Sequence, residues 1–258
     1  MATDDRVRQV AAALDATPDL VPHLAELLAD LWELGSSPPL IASWLGELGL
    51  PPGTTRVLDL GCGKGAVSLT LARDLGFHVH GVDLYEPFDR EARHRAAEWG
   101  LTSLCRFEGG DLREVVRTAE GYDVVVYASV GALGRLDDCV RALRGCVRGG
   151  GYLLIENGYL APGAAPAAGS GNLADHDESH RRLTAHGDAL LREQALDPAE
   201  MRAIDERYIR SISARAEALA KARPADADLV RGYVERQRGA ASAWERSSVS
   251  ATWLLQKG

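Results

Sequence analysis

The sequence is poor in cysteine and has no long apolar run. Its 258 residues include four cysteines, whose spacing matches neither a zinc-binding pattern nor a set of paired disulfides. No stretch stays apolar for the roughly 20 residues that a bilayer-spanning helix needs. The first eight residues carry four charges and lack the apolar segment of a secretory signal. We therefore expect a cytoplasmic protein in a reducing environment, with no metal site and no membrane partner.

Basic charge is also in short supply. The chain has 29 lysines and arginines against 37 aspartates and glutamates, a formal net charge of −8. A protein that holds a nucleic-acid backbone normally presents clustered lysines and arginines to it. Arginines do cluster at 90–95 and 141–148, but we expect both groups to lie on solvated faces of surface helices. The charge balance favours a small-molecule substrate over nucleic acid, for a protein that is a monomer or a homodimer.

From residue 56 onward, short apolar segments alternate with helical patterns of ten or more residues. This alternation predicts an α/β fold with a parallel, doubly wound sheet. The segment 189–196 fits a strand or a helix, and we predict a strand because Asp197-Pro198 is typical of a new helix start. A β-branched and aromatic segment at 247–255 predicts a closing strand. The other strands are predicted near 56–60, 78–82, 104–107, 122–127 and 151–156.

Helical patterns lie on both sides of the predicted parallel strands. Apolar spacing predicts helices at 5–14, 19–34 and 38–48 before the first strand. Two long helices are expected at about 198–222 and 225–245.

A polar segment follows the fifth predicted strand. Residues 161–172 are small and favour a flexible loop. Three histidines follow among acidic residues, and we predict a mobile polar loop for them rather than a metal site. A histidine here could still act as general base toward a hydroxyl or amine. The histidines are His176, His180 and His186.

The most informative stretch is 57–65, with the sequence VLDLGCGKG. A short apolar strand runs into glycines at 61, 63 and 65, and a helical pattern follows. Alternate glycines remove Cβ atoms that would hold a ligand away from the backbone, and they permit positive φ. The helix that follows offers unpaired N–H groups to a polar ligand. We therefore expect a small ligand to lie across this turn.

Two common nucleotide-binding patterns do not fit this turn. The dinucleotide fingerprint G-x-G-x-x-G places its third glycine one residue later than Gly65. A Walker phosphate loop is excluded because no Ser or Thr follows Lys64. The second strand ends at Asp83, where a carboxylate can accept hydrogen bonds from a ribose diol. Nicotinamide and methyl-donor enzymes both use that device, so Asp83 alone does not separate them.

Five segments that cover most of residues 54–160 follow one another in a recognisable order. They are Asp59-x-Gly61-x-Gly63-x-Gly65, the strand ending at Asp83, RFEGGDL at 106–112, YDVVVYAS at 122–129 and GGGYLLIE at 149–156. In this order they resemble the motifs of class I S-adenosylmethionine-dependent methyltransferases, and the segment 30–38 resembles, more loosely, the entry region of small-molecule members. The resemblance implies a seven-stranded, mostly parallel sheet with its last strand antiparallel, amino-terminal helices and a helical insertion before the last strand.

The resemblance implies three parts of the chain and a set of contacts to S-adenosylmethionine. The parts are an amino-terminal helical cap at 1–53, a Rossmann-like cofactor-binding core at 54–160, and a remainder at 161–258. That remainder would supply a flexible loop, the helical insertion and the closing strands of the same sheet. The implied cofactor contacts are Asp59, Gly61, Cys62, Gly63, Gly65, Asp83, Leu84, Asp111, Leu112, Tyr127 and Ala128.

The acids among these contacts have separate implied roles. Asp59 would fix the loop and the amino end of the donor, and Asp83 would bind the ribose hydroxyls. Asp111 would bind the adenine amino group, with Leu112 packed on the ring. Cys62 is expected to line the pocket rather than act as a nucleophile, since no paired base is visible. We expect Lys64 to be a solvated side chain at the helix start.

Methyl transfer is an in-line displacement at a sulfonium that leaves S-adenosylhomocysteine. The donor is already activated, so the protein has mainly to position the reactants and exclude water. The catalytic residue is left open, with His176, His180 and Tyr127 as candidates, and Tyr127 fits strand packing equally well. The candidate substrate contacts are Trp32, Glu156, Asn157 and Tyr159.

The leading hypothesis is a methyltransferase that acts on O, N or C of a small molecule. The fourth strand is followed neither by an Asp/Asn-Pro-Pro-Tyr/Phe motif nor by a Pro-Cys pair. These absences disfavour methylation of the adenine amino group and of cytosine C5. The alternatives are an RNA or protein methyltransferase, a non-catalytic S-adenosylmethionine-binding protein and a nicotinamide oxidoreductase. The glycine spacing disfavours the oxidoreductase.

Overall fold

The computed structural model describes residues 2–165 and 172–258. Within these residues seven strands form one sheet, in the order β3-β2-β1-β4-β5-β7-β6. The chain order differs from this spatial order, as in a doubly wound sheet that grows outward from β1 in both directions. The strands are β1 (Arg56–Leu60), β2 (His78–Asp83), β3 (Cys105–Gly109), β4 (Tyr122–Ala128), β5 (Val147–Leu160), β6 (Ala189–Ala195) and β7 (Ser248–Gln256).

Helices connect most of these strands. β1 to β5 alternate with helices, which produces the parallel half of the sheet. Two long helices separate β6 from β7. In the described part of the chain the helices are α1 (Ala2–Ala13), α2 (Val21–Leu27), α3 (Pro38–Gly46), α4 (Ala66–Leu75), α5 (Glu86–Glu98), α6 (Leu112–Val115), α7 (Leu136–Cys146), α8 (His176–Leu183), α9 (Pro198–Ala222) and α10 (Ala227–Ser247).

Strand pairing brings the carboxyl ends of β1, β2, β4 and β5 to one edge of the sheet. β1 pairs in parallel with β2 and with β4, and its side chains Val57, Leu58 and Leu60 are fully buried. β5 pairs in parallel with β4, where Ala128 lies opposite Glu156. The loops that leave these strand ends therefore meet at one place, as ligand-binding loops do in open α/β sheets.

The last strand runs antiparallel to its neighbours, as the family resemblance implies. The Gly150 N–H donates to the Lys257 carbonyl at 3.2 Å, and the Lys257 N–H donates to the Gly151 carbonyl at 2.9 Å. This reciprocal pairing is typical of an antiparallel ladder. The sequence prediction of a seven-stranded, mostly parallel sheet is confirmed.

The helix predicted at 19–34 is wrong over most of its length. A single 3₁₀ turn at Pro18–Leu20 leads into α2, which ends at Leu27. The chain then forms a tight turn, in which the Leu31 N–H donates to the Leu28 carbonyl at 3.1 Å. Gly35 follows with a φ of +113°, which a helix does not contain. Residues 28–37 therefore form a loop of turns and bends.

The mobile polar loop predicted around the histidines is also wrong, because residues 176–183 form α8. The Asp175 carboxylate caps this helix by accepting the Glu178 N–H at 2.8 Å. An Asp at the N-cap with a Glu three residues later is a helix-start signal, which a prediction from polar composition alone does not take into account. Half of the flexible loop predicted at 161–172, residues 166–171, lies outside the described residues.

The described residues belong to two compact units. The first contains those within 1–32, 159–171 and 195–250, where α9 packs against α10 and Arg215 pairs with Asp30. The second contains those within 33–158, 172–194 and 251–258, including most of the sheet. The three-part division expected from the sequence is a different partition and stays a prediction.

Among the described residues, none of the helices combines the length and the apolar character that crossing a bilayer requires.

Candidate functional site

The glycine turn joins β1 to α4 through three left-handed residues. φ is +76° at Gly61, +53° at Gly63 and +83° at Gly65, a region that residues with a Cβ rarely adopt. The N–H groups of Gly61 and Cys62 both donate to the Val82 carbonyl in β2, at 2.8 and 3.1 Å. The turn is therefore fixed directly to the neighbouring strand.

The chain itself packs closely against these glycines. A Cβ on Gly61 would lie 2.5 Å from Cγ2 of Val130, which is an overlap. A Cβ on Gly65 would lie 3.1 Å from the Phe107 ring, and one on Gly63 would lie 3.2 Å from Leu34. The absence of side chains thus lets the protein's own elements close around the turn.

Asp83 anchors the middle of the turn. One of its carboxylate oxygens accepts the Gly63 N–H at 2.9 Å, and the other accepts the Tyr85 N–H at 2.8 Å. Burial raises the pKa of this carboxyl, and the two backbone hydrogen bonds oppose that shift. The turn and the end of β2 are consequently held as one rigid unit, with Leu84 half-buried between them.

Asp59 lies beneath the turn rather than at its surface. Its side chain is buried, and the Ser68 hydroxyl of α4 donates to it at 2.6 Å. Burial raises the pKa of Asp59 to about 6, although the Ser68 hydrogen bond favours the ionised form. The visible role of Asp59 is to tie β1 to the first turns of α4.

The two remaining side chains of the turn are buried. Burial raises the pKa of the Cys62 thiol well above its ordinary value, which suits a packing residue better than a nucleophile. The prediction of a solvated Lys64 is wrong, because its side chain is 1% exposed. Its Nζ lies 3.0 Å from the Glu91 carboxylate and 5.7 Å from the Phe88 ring centre, both on α5. A buried ammonium needs such a partner.

Asp111 stands at the start of α6, next to Asp83 in space. The Gly110 N–H donates to the backbone carbonyl of Asp83 at 2.9 Å. The Asp111 carboxylate accepts the Arg113 N–H and also pairs with its guanidinium, at 2.6 to 3.1 Å. The Arg113 side-chain hydrogen bond lowers the pKa of Asp111. Leu112 follows, half-buried.

The hydroxyl of Tyr127, near the end of β4, is buried and hydrogen-bonded within the protein. The Tyr127 side chain is 2% exposed, and its hydroxyl accepts the Leu133 N–H at 3.0 Å. Burial raises the pKa of that hydroxyl, which favours the strand-packing interpretation over a catalytic one. Ala128 is buried, and Ser129 adopts a φ of +58°. A non-glycine residue in this region at a strand end marks a locally strained turn.

A loop within the loosely matched segment 30–38 crosses the same edge of the sheet. We call residues 33–37 the crossing loop. Leu34 lies against Gly63, and a Cβ on Gly35 would lie 3.2 Å from the Ser129 side chain. The crossing loop therefore contacts both the glycine turn and the end of β4.

Glu156 fastens the crossing loop to the sheet. Both of its carboxylate oxygens lie 3.3 Å from the Ser37 N–H, and the Thr252 hydroxyl donates to one of them at 3.2 Å. The side chain is 7% exposed, and burial raises its pKa to about 7. Glu156 can thus exchange a proton near neutral pH beside the carboxyl end of β4.

The other candidates lie in separate surroundings. Trp32 and Tyr159 are half-buried members of the first unit. Asn157 follows Glu156 in β5, and its side-chain oxygen accepts the Gly158 N–H at 2.9 Å. His176 and His180 lie on α8 and face Glu193 of β6, which no sequence motif had singled out.

The arginine clusters are paired within the protein. Every arginine in 90–95 and 141–148 lies within salt-bridge distance of a carboxylate of this chain. Such pairing leaves little free positive charge for a phosphate backbone. The expectation of solvated helix faces holds only in part, because Arg148 lies in β5 and Arg144 pairs with the buried Asp188. The pairs are Arg90–Glu86, Arg93–Asp89, Arg95–Glu91, Arg141–Asp138, Arg144–Asp188 and Arg148–Asp123.

Comparison with known proteins agrees with the fold and the turn. A family model described as a methyltransferase domain matches residues 57–151. The fold is similar to that of a Geobacter sulfurreducens S-adenosylmethionine-dependent methyltransferase, crystallised with S-adenosylhomocysteine. The TM-score is 0.73 at 23% identity, covering 94% of this chain and 99% of that one.

Two curated relatives are similar in sequence over part of their length. The Escherichia coli K12 protein YjhP is 36% identical over 115 residues, 43% of this chain and 45% of that protein. The aklanonic acid methyltransferase DauC of Streptomyces sp. strain C5 is 33% identical over 103 residues, 36% and 47% respectively. The aligned region thus spans about half the length of each of these relatives.

The fold and the glycine turn define a Rossmann-like class I methyltransferase domain. Residues 57–151 match the methyltransferase domain, and the domain and fold together indicate S-adenosylmethionine as the cofactor. The resemblance stated from the sequence motifs is confirmed at this level.

Proposed function

We propose that this protein transfers the methyl group of S-adenosylmethionine to an O, N or C atom of a small-molecule acceptor. The observation that carries the proposal is the coupling of the glycine turn to Asp83 through the Gly63 N–H. Bound there, the cofactor would supply a methyl group on a sulfonium, which an acceptor nucleophile displaces.

The residues at the turn fit this cofactor. A carboxylate has about four acceptor positions, and Asp83 receives the N–H groups of Gly63 and Tyr85 together with a backbone hydrogen bond from Leu84. Its remaining acceptor capacity suits a ribose hydroxyl. Asp111 would bind the adenine amino group while keeping its Arg113 partner, and Leu112 would cover the ring. The methionine portion would lie along the turn at Gly61, Gly63 and Gly65 once Leu34 has moved away from Gly63.

The crossing loop would exclude water from the reacting atoms. Leu34 lies on the glycine turn and Glu156 holds the loop at Ser37, so binding and release would require the loop to shift. Because the donor is already activated, the protein has mainly to position the reactants and exclude water.

A small acceptor is supported by charge and by one relative. The chain is acidic overall, and its arginine clusters are neutralised internally. DauC is named for a small molecule, aklanonic acid. These observations favour a small acceptor over RNA or protein and leave its identity open.

The cofactor part is tested by calorimetric titration with S-adenosylhomocysteine and, separately, with NAD. We expect one site for the former and no binding of the latter. Asp83→Asn should weaken binding, whereas Asp74→Asn, at an exposed ion pair on α4, should not. Equal binding by both variants would remove Asp83 from the site.

The acceptor part is tested by incubating the protein with methyl-labelled donor and a cell extract. We expect label in the small-molecule fraction and loss of that label in Asp83→Asn. Label in RNA or protein would contradict the small acceptor. Cofactor binding without any labelled product would point to a non-catalytic binding protein.

A further inference from the structure

The strongest cluster of ligand-type side chains outside the glycine turn lies between α8 and β6. His176 Nε2 lies 3.0 Å from one carboxylate oxygen of Glu193, and His180 Nε2 lies 2.5 Å from the other. The three potential ligand atoms all lie within 4.8 Å of one another. Two imidazoles and a carboxylate therefore converge on one point.

Local structure explains this convergence. His176 and His180 are four residues apart on α8, so both side chains leave the same face of the helix. Their ring centres are 4.3 Å apart. Asp175 caps the helix and fixes its start, which sets the direction of both rings. Glu193 lies within β6, so its backbone position is fixed by the sheet.

The donor set is one that transition metals prefer. Two histidines and a carboxylate are the protein ligands of many catalytic zinc sites and of non-haem iron sites. Two histidines four apart on a helix are also the spacing found in zinc-binding helices. The rings are about 40% exposed, and Glu193 is 20% exposed, so an ion can reach them from solvent.

Both Nε2 atoms now face the carboxylate, so ligation requires a change in the hydrogen bonds. A neutral imidazole that donates through Nε2–H would move its proton to Nδ1 and give the Nε2 lone pair to the ion. Asp177 lies 3.7 Å from Nδ1 of His176 and can stabilise a proton there. Partners at the second ring nitrogen are typical of metal-ligating histidines.

We propose that His176, His180 and Glu193 form a binding site for one divalent transition-metal ion of the zinc type. The protein supplies three ligands, and water completes the coordination. The ion would tie α8 to β6. This site uses none of the residues assigned to the cofactor and departs from the expectation, drawn from sequence composition, that the protein binds no metal.

The test uses the full chain, without an affinity tag, after treatment with a chelator. Titration with cobalt chloride should give d–d absorption bands that saturate at one ion per chain, and zinc chloride should abolish them. Calorimetry with zinc chloride should report one site. The wild-type protein should also melt at a higher temperature with zinc than with chelator, since the ion binds the native state.

Substitutions then locate the ion. His180→Gln and Glu193→Gln should each weaken zinc binding by at least about tenfold. The matched control is His94→Gln, which removes another histidine paired with a glutamate four residues away but without a third ligand. Zinc affinity should be unchanged in that control.

Three results would overturn the proposal. One is the absence of saturable cobalt or zinc binding by the wild-type protein. Another is equal zinc affinity in wild type, His180→Gln and Glu193→Gln. If those variants unfold, His176→Gln is titrated with cobalt instead, and an unchanged spectrum would contradict the assignment. Destabilisation by the substitutions without any metal binding would identify the cluster as a hydrogen-bonded clamp only.

Discussion

The two halves of the sheet hold their carboxylates in different ways. On the β2 side of β1, Asp83 accepts N–H groups from the glycine turn and from Tyr85, two residues further along. On the β5 side, Glu156 is held by Ser37 and Thr252, which are 119 and 96 residues away in sequence. Glu193 is likewise held by side chains of a separate helix.

The difference separates contacts that every chain with this fold can make from contacts that depend on this chain's own packing. The Asp83 arrangement forms whenever the turn and β2 form, so it belongs to the fold. The surroundings of Glu156 depend on residues 96 and 119 positions away, and those of Glu193 depend on how α8 packs beside β6, so both can vary without loss of the sheet. We therefore assign cofactor binding to the first half and expect acceptor choice and metal binding to depend on the second.

The largest expected effect comes from Gly61→Ala, which tests the rigidity of the first half. Left-handed backbone and overlap with Val130 should together lower the free energy of unfolding by about 2–5 kcal/mol. The control is Gly100→Ala, with φ +70° and open space around its Cβ position. It should cost about 1–2 kcal/mol, for backbone strain alone. Equal losses in urea denaturation would show that Val130 does not constrain the turn.

The next effect is a pH dependence of the free energy of unfolding that arises from Glu156, in the second half of the sheet. The folded protein holds the Glu156 proton up to about pH 7, whereas the unfolded chain releases it near pH 4.5. The stabilisation is therefore complete below pH 4.5 and is lost as pH rises toward 7. Relative to Glu156→Gln, wild type should lose about 3 kcal/mol of unfolding free energy across this range. Denaturation curves with a constant difference at every pH would contradict the buried, protonated carboxyl.

A smaller effect is expected from Asp83→Ala on cofactor affinity. Loss of the charge-assisted hydrogen bonds to ribose should weaken S-adenosylhomocysteine binding by about 1–3 kcal/mol. Because Asp83 also holds the Gly63 N–H, thermal stability should be measured on the same sample. Unchanged affinity in a folded variant would break the assignment of cofactor binding to the first half.

The smallest effect is expected from Tyr127→Phe. Removal of one buried hydrogen bond to Leu133 should lower the free energy of unfolding by about 1 kcal/mol. Labelled-methyl transfer should keep its wild-type rate, since the hydroxyl is buried. A large fall in rate without a change in stability would restore Tyr127 as a catalytic candidate.

The sequence predicted the first half better than the second for a physical reason. The glycine turn and Asp83 belong to one β1–α4–β2 unit, so the spacing of the motif along the chain carries the geometry. The parallel sheet was also accessible through the alternation of strands and helices, and β6 through the Asp197-Pro198 helix start. The ends of α2 and the burial of Lys64 could not be predicted from the sequence, because both depend on the tertiary packing around them.

Contacts that no motif marks explain the rest. Nothing near Ser37 indicates that it meets Glu156, 119 residues away, and nothing near Glu193 indicates that two histidines of α8 pack against it. The capping signal of Asp175 and Glu178 is present in the sequence and predicts a helix rather than a loop. On that helix His176 and His180 lie on one face, but the sequence does not indicate Glu193 as the third ligand.

The most direct measurement is a crystal structure of the protein with S-adenosylhomocysteine. The account predicts the ribose hydroxyls on the Asp83 carboxylate, the adenine beside Asp111 and Leu112, and the amino-acid portion along the glycine turn. It also predicts a displaced Leu34. A ligand bound elsewhere, or a turn that stays closed by Leu34 and Val130 at saturating ligand, would contradict it.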